Sequence, residues 1–315
     1  MATIVVATAF GGPEVLAVRE EPVAELATGQ VLLQVRAAGT NPVDYKLFSG
    51  AYGTDESRLP MRLGMEAAGI VVSVGDGAEG PVGPIRPGDE VMAYAIQGAY
   101  ASEVVAPASS VLPKPSNFSF EEAAGLLLTG CTAVHALKVT DVLAGDNVLI
   151  HGAAGGVGLM AVQLAVEAGA RVIATAGETS HAYLRELGAE PVPYGEGLVE
   201  RVRALVPEGI DVAIDTVGSD EAVEASVALV SNRDRIVTIA AFQRGVDLGF
   251  KVIGAGPGGD PGTEIRAAAR SELLRKAEAG KLKVRVAHSY PLGDAAEAIA
   301  ELMAGHTHGK IVLVP

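Results

Sequence analysis

Apolar positions in the first third of the chain come in short runs. Residues 4–38 contain IVVA, VLAV and VLLQVRAA, the last alternating in part with polar residues, and further runs follow at MEAAGIVVSVG (65–75) and DEVMAYA (89–95). Runs of this length and period put side chains on the two faces of strands rather than along one stripe of a helix. Among them lies GDGAEGPVGPIRPG (75–88), whose glycines and prolines favour turns. The first third therefore predicts an antiparallel, barrel-like β domain.

The rhythm changes near Ser119. SFEEAAGLLLTGCTAVHALK (119–138) has a serine cap, acids in its first turn and helical apolar spacing after them. Strand and helix patterns then alternate: NVLIH, GGVGLMAVQLAVEAGA, RVIATA, SHAYLRELGA, PVPY, GLVERVRALV, DVAID, SDEAVEASVALV and RIVTIA. Such alternation predicts a parallel sheet with helices on both faces. After GAGPGGDPG (254–262), a mobile connection on this reading, come a long polar helix, a strand at KVRVAHSY, a helix at DAAEAIAELMAG and a last strand at GKIVLVP, with no further βαβ rhythm. The expected division is 1–118 plus 263–315 for the β domain and 119–262 for an α/β domain. A chain of 315 residues exceeds what one core usually holds, in keeping with two domains.

Composition narrows the function. With 38 Asp and Glu against 24 Lys and Arg, the formal charge of −14 repels phosphate backbones and anionic lipid, so neither nucleic acid nor membrane is an expected partner. The opening residues lack a basic region ahead of an apolar stretch, and no apolar run reaches the ~18 residues of a membrane span. A cytoplasmic location is expected. The single cysteine, Cys131, makes no internal disulfide and no four-cysteine zinc cage, and of the histidines 135, 151, 181, 288, 306 and 308 none has metal-binding spacing on a helix. No metal is expected.

Candidate chemistry concentrates after NVLIH, where Gly152, Ala153, Ala154, Gly155, Gly156, Val157 and Gly158 open an apolar helix. A sharp turn, a close backbone approach to a pyrophosphate and tight helix–strand packing each favour a residue without bulk, and the helix start offers N–H groups to phosphate. The first fingerprint glycine is replaced by Ala153, so an ordinary glycine-rich turn is the alternative. About twenty residues on, where an acid would bind the ribose hydroxyls of NAD, stands Ala176. Without that carboxylate a 2′-phosphate is not repelled, and beside Ala176 and Gly177 the donors Ser180, His181 and Tyr194 favour NADPH. Glu178 argues the other way, and no Lys or Arg occupies AGETSH (176–181).

The β domain, the later nucleotide fold and the segments AAGTNPVDYKLFSGAY (37–52), LGMEAAGIV (63–71), LLLTGCTAV (126–134), HGAAGGVG (151–158) and GKIVL (309–313) together resemble the zinc-free quinone oxidoreductase, or zeta-crystallin-like, branch of the medium-chain dehydrogenase/reductase superfamily. The resemblance implies α/β architecture: a Rossmann-type doubly wound sheet plus a GroES-like antiparallel β-barrel domain. Where zinc-dependent members carry three metal ligands, this chain has Asn41, Met65 and Gly125. Without the metal's polarising charge, the expected substrates are quinones or α,β-unsaturated carbonyl compounds, in which conjugation spreads the incoming charge.

The resemblance further implies catalytic roles for Asn41 and Tyr52. The Asn41 amide is placed to bond substrate or cofactor ribose, yet Asn41-Pro42-Val43-Asp44 is also a helix start with Asn as cap, and both readings stand. Tyr52 is either a proton donor to an enolate or a cleft-lining phenol. Cofactor contacts are implied for Thr129, for Thr216, Val217 and Gly218, and for Ala240, Ala241 and Phe242, since ligands sit at strand C-terminal ends. Two rival functions remain: a 2-enoyl thioester reductase, and a non-catalytic NADPH-binding protein of the crystallin kind. A homodimer joined edge to edge near LGFKVIGAG is the implied assembly.

Overall fold

The computed structural model describes every residue except 306. Its contacts divide the chain into two units, Met1–Leu128 with Arg270–Pro315, and Thr129–Ala269. The division falls at 128 and 269 where the sequence suggested 118 and 262. The helix Phe120–Ala123 packs on the strands Gln30–Gly39 and Glu66–Val74, and the Leu128 N–H donates to the Glu66 carboxylate at 2.9 Å, which keeps this stretch in the first unit.

Among the described residues the first unit is built on a seven-stranded sheet. Gln30–Gly39 lies antiparallel to Glu66–Val74, which is antiparallel to Glu90–Tyr94. Along the first of these, Val31, Leu33 and Val35 are buried while Gln34 and Arg36 are exposed, the two-residue alternation its sequence showed. The buried set joins Val71, Val91, Ile311 and Leu313 in one core, each side chain contributing ~1.5–3 kcal/mol by leaving water.

Two expectations for this unit need correction. The sheet is not wholly antiparallel: Val286–Pro291 and Lys310–Val314 run parallel, joined through the helix Ala295–Ala304, so the tail does contain a βαβ unit. Ala295, Ala298 and Ile299 of that helix pack into the same core. The helix read from Ser119 is also broken, into Phe120–Ala123 and Leu127–Val139. Gly125 sits in the break, where a Cβ would approach Lys310 Cγ and Val284 Cγ1 to 2.9 Å.

The second unit carries a six-stranded sheet in the order Glu190–Val192, Arg171–Thr175, Asn147–His151, Val212–Asp215, Ile236–Thr238, Lys251–Val252, parallel throughout. Val148, Leu149 and Ile150 of the central strand are buried, as strands covered on both faces require. The chain winds outward from this strand in both directions, which places a topological switch point at its carboxyl end.

The glycine-rich stretch 254–262 lies inside this unit and is anchored. Gly254 N–H donates to Asp260 O and Asp260 N–H to Val252 O, both at 2.8 Å, and the Asp260 carboxylate accepts from Gly262 N–H at 2.8 Å and lies 3.2 Å from His135 Nε2. Gly262, at φ +58°, has no room for a side chain, because a Cβ would lie 2.2 Å from the His135 ring. Among the described residues no helix is long and apolar enough to cross a membrane.

Candidate functional site

In the second unit the strand Asn147–His151 runs into the glycine turn and then the twelve-residue helix Gly156–Glu167. Three of the four glycines in HGAAGGVG do different work. Gly152 has φ +69°, and a Cβ on it would meet Thr216 Oγ1 at 2.7 Å. A Cβ on Gly158 would lie 2.3 Å from Gly152 O and 2.7 Å from Ala153 Cα, so helix and turn touch backbone to backbone there. Gly155, the helix N-cap, meets only Gly152 O at 3.4 Å. It offers no side-chain cap to the N–H groups of the first turn, which begins Gly156, Val157, Gly158 and forms the positive end of the helix.

Beside this turn stand the loops after the next two strands. Val217 and Gly218 donate their N–H groups to Asp215 Oδ1 at 3.0 and 2.8 Å, and Thr238 donates its hydroxyl to Asp215 Oδ2 at 2.7 Å. The same Thr238 oxygen accepts the N–H groups of Ala240 and Ala241 at 3.2 and 3.0 Å. One carboxyl and one hydroxyl thus shape both loops. Gly218, at φ +75°, brings them together, since a Cβ would meet Ala240 Cβ at 2.8 Å. Thr216 donates to His151 O at 2.7 Å, which ties the first loop to the glycine turn, and the Phe242 ring lies against Gly254 and Gly256. Thr129 stands elsewhere in the sequence, buried in the helix Leu127–Val139.

Sequence reasoning missed the polar row beneath these loops. Register places Thr175 and Asp215 beside His151, and Thr238 beside Asp215. All four are buried, and His151 Nδ1 lies 3.2 Å from Thr175 Oγ1. Burial holds the His151 imidazole below its usual range despite the pull of Asp215 and Glu221, so it is neutral at pH 7. The available signal was a polar residue at the carboxyl end of each otherwise apolar strand: NVLIH, RVIAT, DVAID and RIVT.

At the end of the strand Arg171–Thr175, the three proposed donors separate. Ser180 is buried, and His181 Nε2 lies 3.0 Å from Ala176 O, a carbonyl that only accepts, so this ring N–H is spent on the backbone. Tyr194 is 57% exposed, with its hydroxyl 3.8 Å from the point a Gly177 Cβ would occupy, so the phenol lies over the strand end.

In the first unit Asn41 caps the helix Pro42–Phe48 and is 2% exposed. Its amide donates to Glu66 Oε1 at 3.0 Å and Gly39 O at 3.3 Å, and its Oδ1 accepts from Lys310 Nζ at 2.7 Å. The Lys310 ammonium also donates to Glu66 Oε1 (3.0 Å) and Thr40 O (2.7 Å), and its stem passes the bare Cα of Gly125. Asp44 accepts from Asn41 N–H and from the Tyr100 hydroxyl, and burial pushes its carboxyl up to about 6. Both polar ends of the Asn41 side chain are therefore engaged inside the domain. Glu66 and Lys310, each set in an apolar strand run, were the sequence signal for this cluster. The Tyr52 phenol is raised above its ordinary value by burial and then by the neighbouring Tyr45, and Tyr45, also raised by burial, was not singled out in the sequence.

The remaining histidines lie outside this chemistry. His135 pairs with Asp260, and His288 Nδ1 contacts the Glu301 carboxylate at 2.7 Å. Of the pair 306 and 308, position 306 lies outside the described residues. Among the described residues no three His, Cys, Asp or Glu side chains are grouped as a metal would require.

Residues 27–116 match the alcohol dehydrogenase GroES-like domain family, and residues 156–255 match the zinc-binding dehydrogenase family. The chain is 36% identical over its whole length to the full-length quinone oxidoreductase of Salmonella typhimurium. It is 30% identical to the human quinone oxidoreductase, covering 97% of this chain and 95% of that one. The Escherichia coli quinone oxidoreductase crystallised with NADPH superimposes with a TM-score of 0.85 at 31% identity, covering 99% of this chain and 100% of that one. Both domain families, in this order and with these full-length relatives, establish that the chain belongs to the quinone oxidoreductase branch of the medium-chain dehydrogenase/reductase superfamily.

Proposed function

We propose that this chain is an NADPH-dependent, zinc-independent reductase that transfers a hydride to quinones or α,β-unsaturated carbonyl compounds. The observation that carries the reading is the glycine turn. Gly155 leaves the uncapped N-terminal end of the helix Gly156–Glu167 open to a pyrophosphate, and the loops 216–218 and 240–242 stand beside that turn, shaped by Asp215 and Thr238. When bound, NADPH supplies the hydride. The chain's own residues bind and orient, with the phosphates on the turn and the rest of the dinucleotide along the strand ends.

Zinc, which the second family's description names, does not fit the residues present. The cluster at Asn41 already holds a cation, the buried Lys310 ammonium, on Asn41 Oδ1 and Glu66 Oε1, and neither Met65 nor Gly125 supplies the thiolate or imidazole of a catalytic zinc. No step is therefore routed through a metal. A conjugated acceptor needs less polarisation than a simple ketone, and its reduced form needs a hydrogen-bond donor or a proton. Tyr52, with its raised phenol, keeps its proton at neutral pH and suits that task for an enolate, whereas a hydroquinone anion takes its proton from water. An edge-to-edge homodimer would cover the outermost strand of the parallel sheet, Lys251–Val252, and a cytoplasmic location completes the reading.

The test is NADPH oxidation with 9,10-phenanthrenequinone, 1,4-benzoquinone, a panel of enals and crotonyl-CoA, each with and without EDTA. Turnover of quinones or enals that EDTA leaves unchanged is expected. Saturation with crotonyl-CoA and loss of that rate in Tyr52→Phe would select the thioester reductase instead, and tight NADPH binding with no turnover would select a binding protein.

A further inference from the structure

The strand-end site for the 2′-phosphate contains no Lys or Arg in residues 176–181, and of its three candidate donors Ser180 is buried and His181 holds Ala176 O with its Nε2. The third, the Tyr194 phenol, is 57% exposed and is carried on the loop 193–197 between the strand Glu190–Val192 and the helix Leu198–Leu205. Two of the loop's glycines, Gly195 at φ +98° and Gly197 at φ +79°, give the backbone no stiffness of its own.

One side chain holds this loop. The Arg201 guanidinium donates to three successive points along it: Pro193 O at 3.2 and 2.9 Å, Gly195 O at 2.8 Å and Glu196 O at 2.6 Å. Gly197 makes room for it, since a Cβ there would lie 3.2 Å from Arg201 Nη1. From the other side the Glu221 carboxylate accepts the Gly195 N–H at 3.0 Å. The carbonyls on either side of Tyr194 are thus fixed by a planar fork of donors, a task that a lysine's single ammonium cannot reproduce.

We propose that Arg201 is a specificity-determining positioning residue, which sets the preference for NADPH over NADH by fixing the Tyr194 loop against the strand end at Gly177. The proposal rests on the NADPH reading above and deepens it. Arg201 spends its donors on backbone carbonyls, so it acts through the phenol and not by touching phosphate. Because only the 2′-phosphate distinguishes the two dinucleotides, loosening this loop should change NADPH use and leave NADH use almost untouched.

The experiment compares kcat/KM for NADPH and for NADH, with 9,10-phenanthrenequinone as acceptor, in the parent, Arg201→Met, Arg201→Lys, Tyr194→Phe and the double variant Arg201→Met/Tyr194→Phe. Far-UV circular dichroism and an NADH kcat/KM within about twofold of the parent establish that each variant is folded and its remaining site intact. Each single variant is expected to lower the NADPH:NADH ratio about tenfold, the scale of one hydrogen bond to a charged group. The double variant is expected to be no worse than Tyr194→Phe alone, because both changes remove the same contact. An unchanged ratio in Arg201→Met, a parent-like ratio in Arg201→Lys, or losses that multiply in the double variant would each overturn the proposal, the last two by showing that charge or an independent contact is at work. A parent that uses both dinucleotides equally would instead defeat the NADPH reading itself, and this proposal with it.

Discussion

The carboxylate of Asp215 and the hydroxyl of Thr238 meet at 2.7 Å, both fully buried, at the carboxyl ends of adjacent strands, and each shapes one loop of the proposed cofactor site. Thr238→Val would strip Ala240 and Ala241 of their acceptor and leave Asp215 Oδ2 without its donor. A loss of ~2–3 kcal/mol in unfolding free energy and a clearly weaker NADPH affinity are expected, with Thr238→Ser close to the parent in both. Denaturant unfolding and fluorescence titration on the folded proteins check this, and a Thr238→Val protein with parent-like affinity would show that the loops hold their shape without the pair.

The buried cluster around Lys310 gives a second expectation. Lys310→Met keeps the stem but leaves Glu66 without its cation in a site where both side chains are almost wholly covered, a change expected to cost about 3–5 kcal/mol. Purified parent enzyme should carry no stoichiometric zinc. Elemental analysis that found one tightly held zinc per chain, lost together with activity in EDTA, would contradict the reading of this cluster.

Asp44 predicts a pH dependence. Its carboxyl is raised from 3.8 to about 6, chiefly by burial, so between these values the folded chain holds a proton that the unfolded chain has lost. Unfolding free energy then falls as pH rises through that window, by about 3 kcal/mol in all, and is level above it. Asp44→Asn removes this term. The melting temperature of the variant should therefore gain on that of the parent between pH 4 and pH 6, and a gap that stays constant over this range would refute the assignment.

Much of this was legible in the sequence. The alternation after NVLIH gave the parallel sheet because strands buried on both faces are apolar throughout and helices punctuate them, and the glycine turn announced itself by residue type. The two tail strands and the helix DAAEAIAELMAG between them were legible one by one, but the parallel return of Val286–Pro291 beside Lys310–Val314 was not, since one such unit makes no repeating rhythm and its pairing is set by the core it covers. Asn41 was ambiguous for a related reason. Its partners Glu66 and Lys310 lie 25 and 269 residues away, and no local pattern reveals that its amide is already engaged. The distinct fates of Ser180, His181 and Tyr194 depend on a turn of the backbone that residue identity alone does not specify.

The most direct test of the account is NADPH affinity, measured by fluorescence titration on Gly155→Val, Gly158→Ala and, as control, Gly293→Ala. Gly293 has open space around it, and Gly155 meets only Gly152 O at 3.4 Å, so both variants should fold. Gly158→Ala drives a Cβ into backbone at 2.3 Å and should lose ~1–3 kcal/mol of stability whatever it binds. The account predicts that Gly155→Val keeps its circular dichroism spectrum and melting temperature but loses NADPH binding, while Gly293→Ala binds as the parent does. A folded Gly155→Val protein that binds NADPH as tightly as the parent would contradict it, and HGAAGGVG would then be no more than a turn.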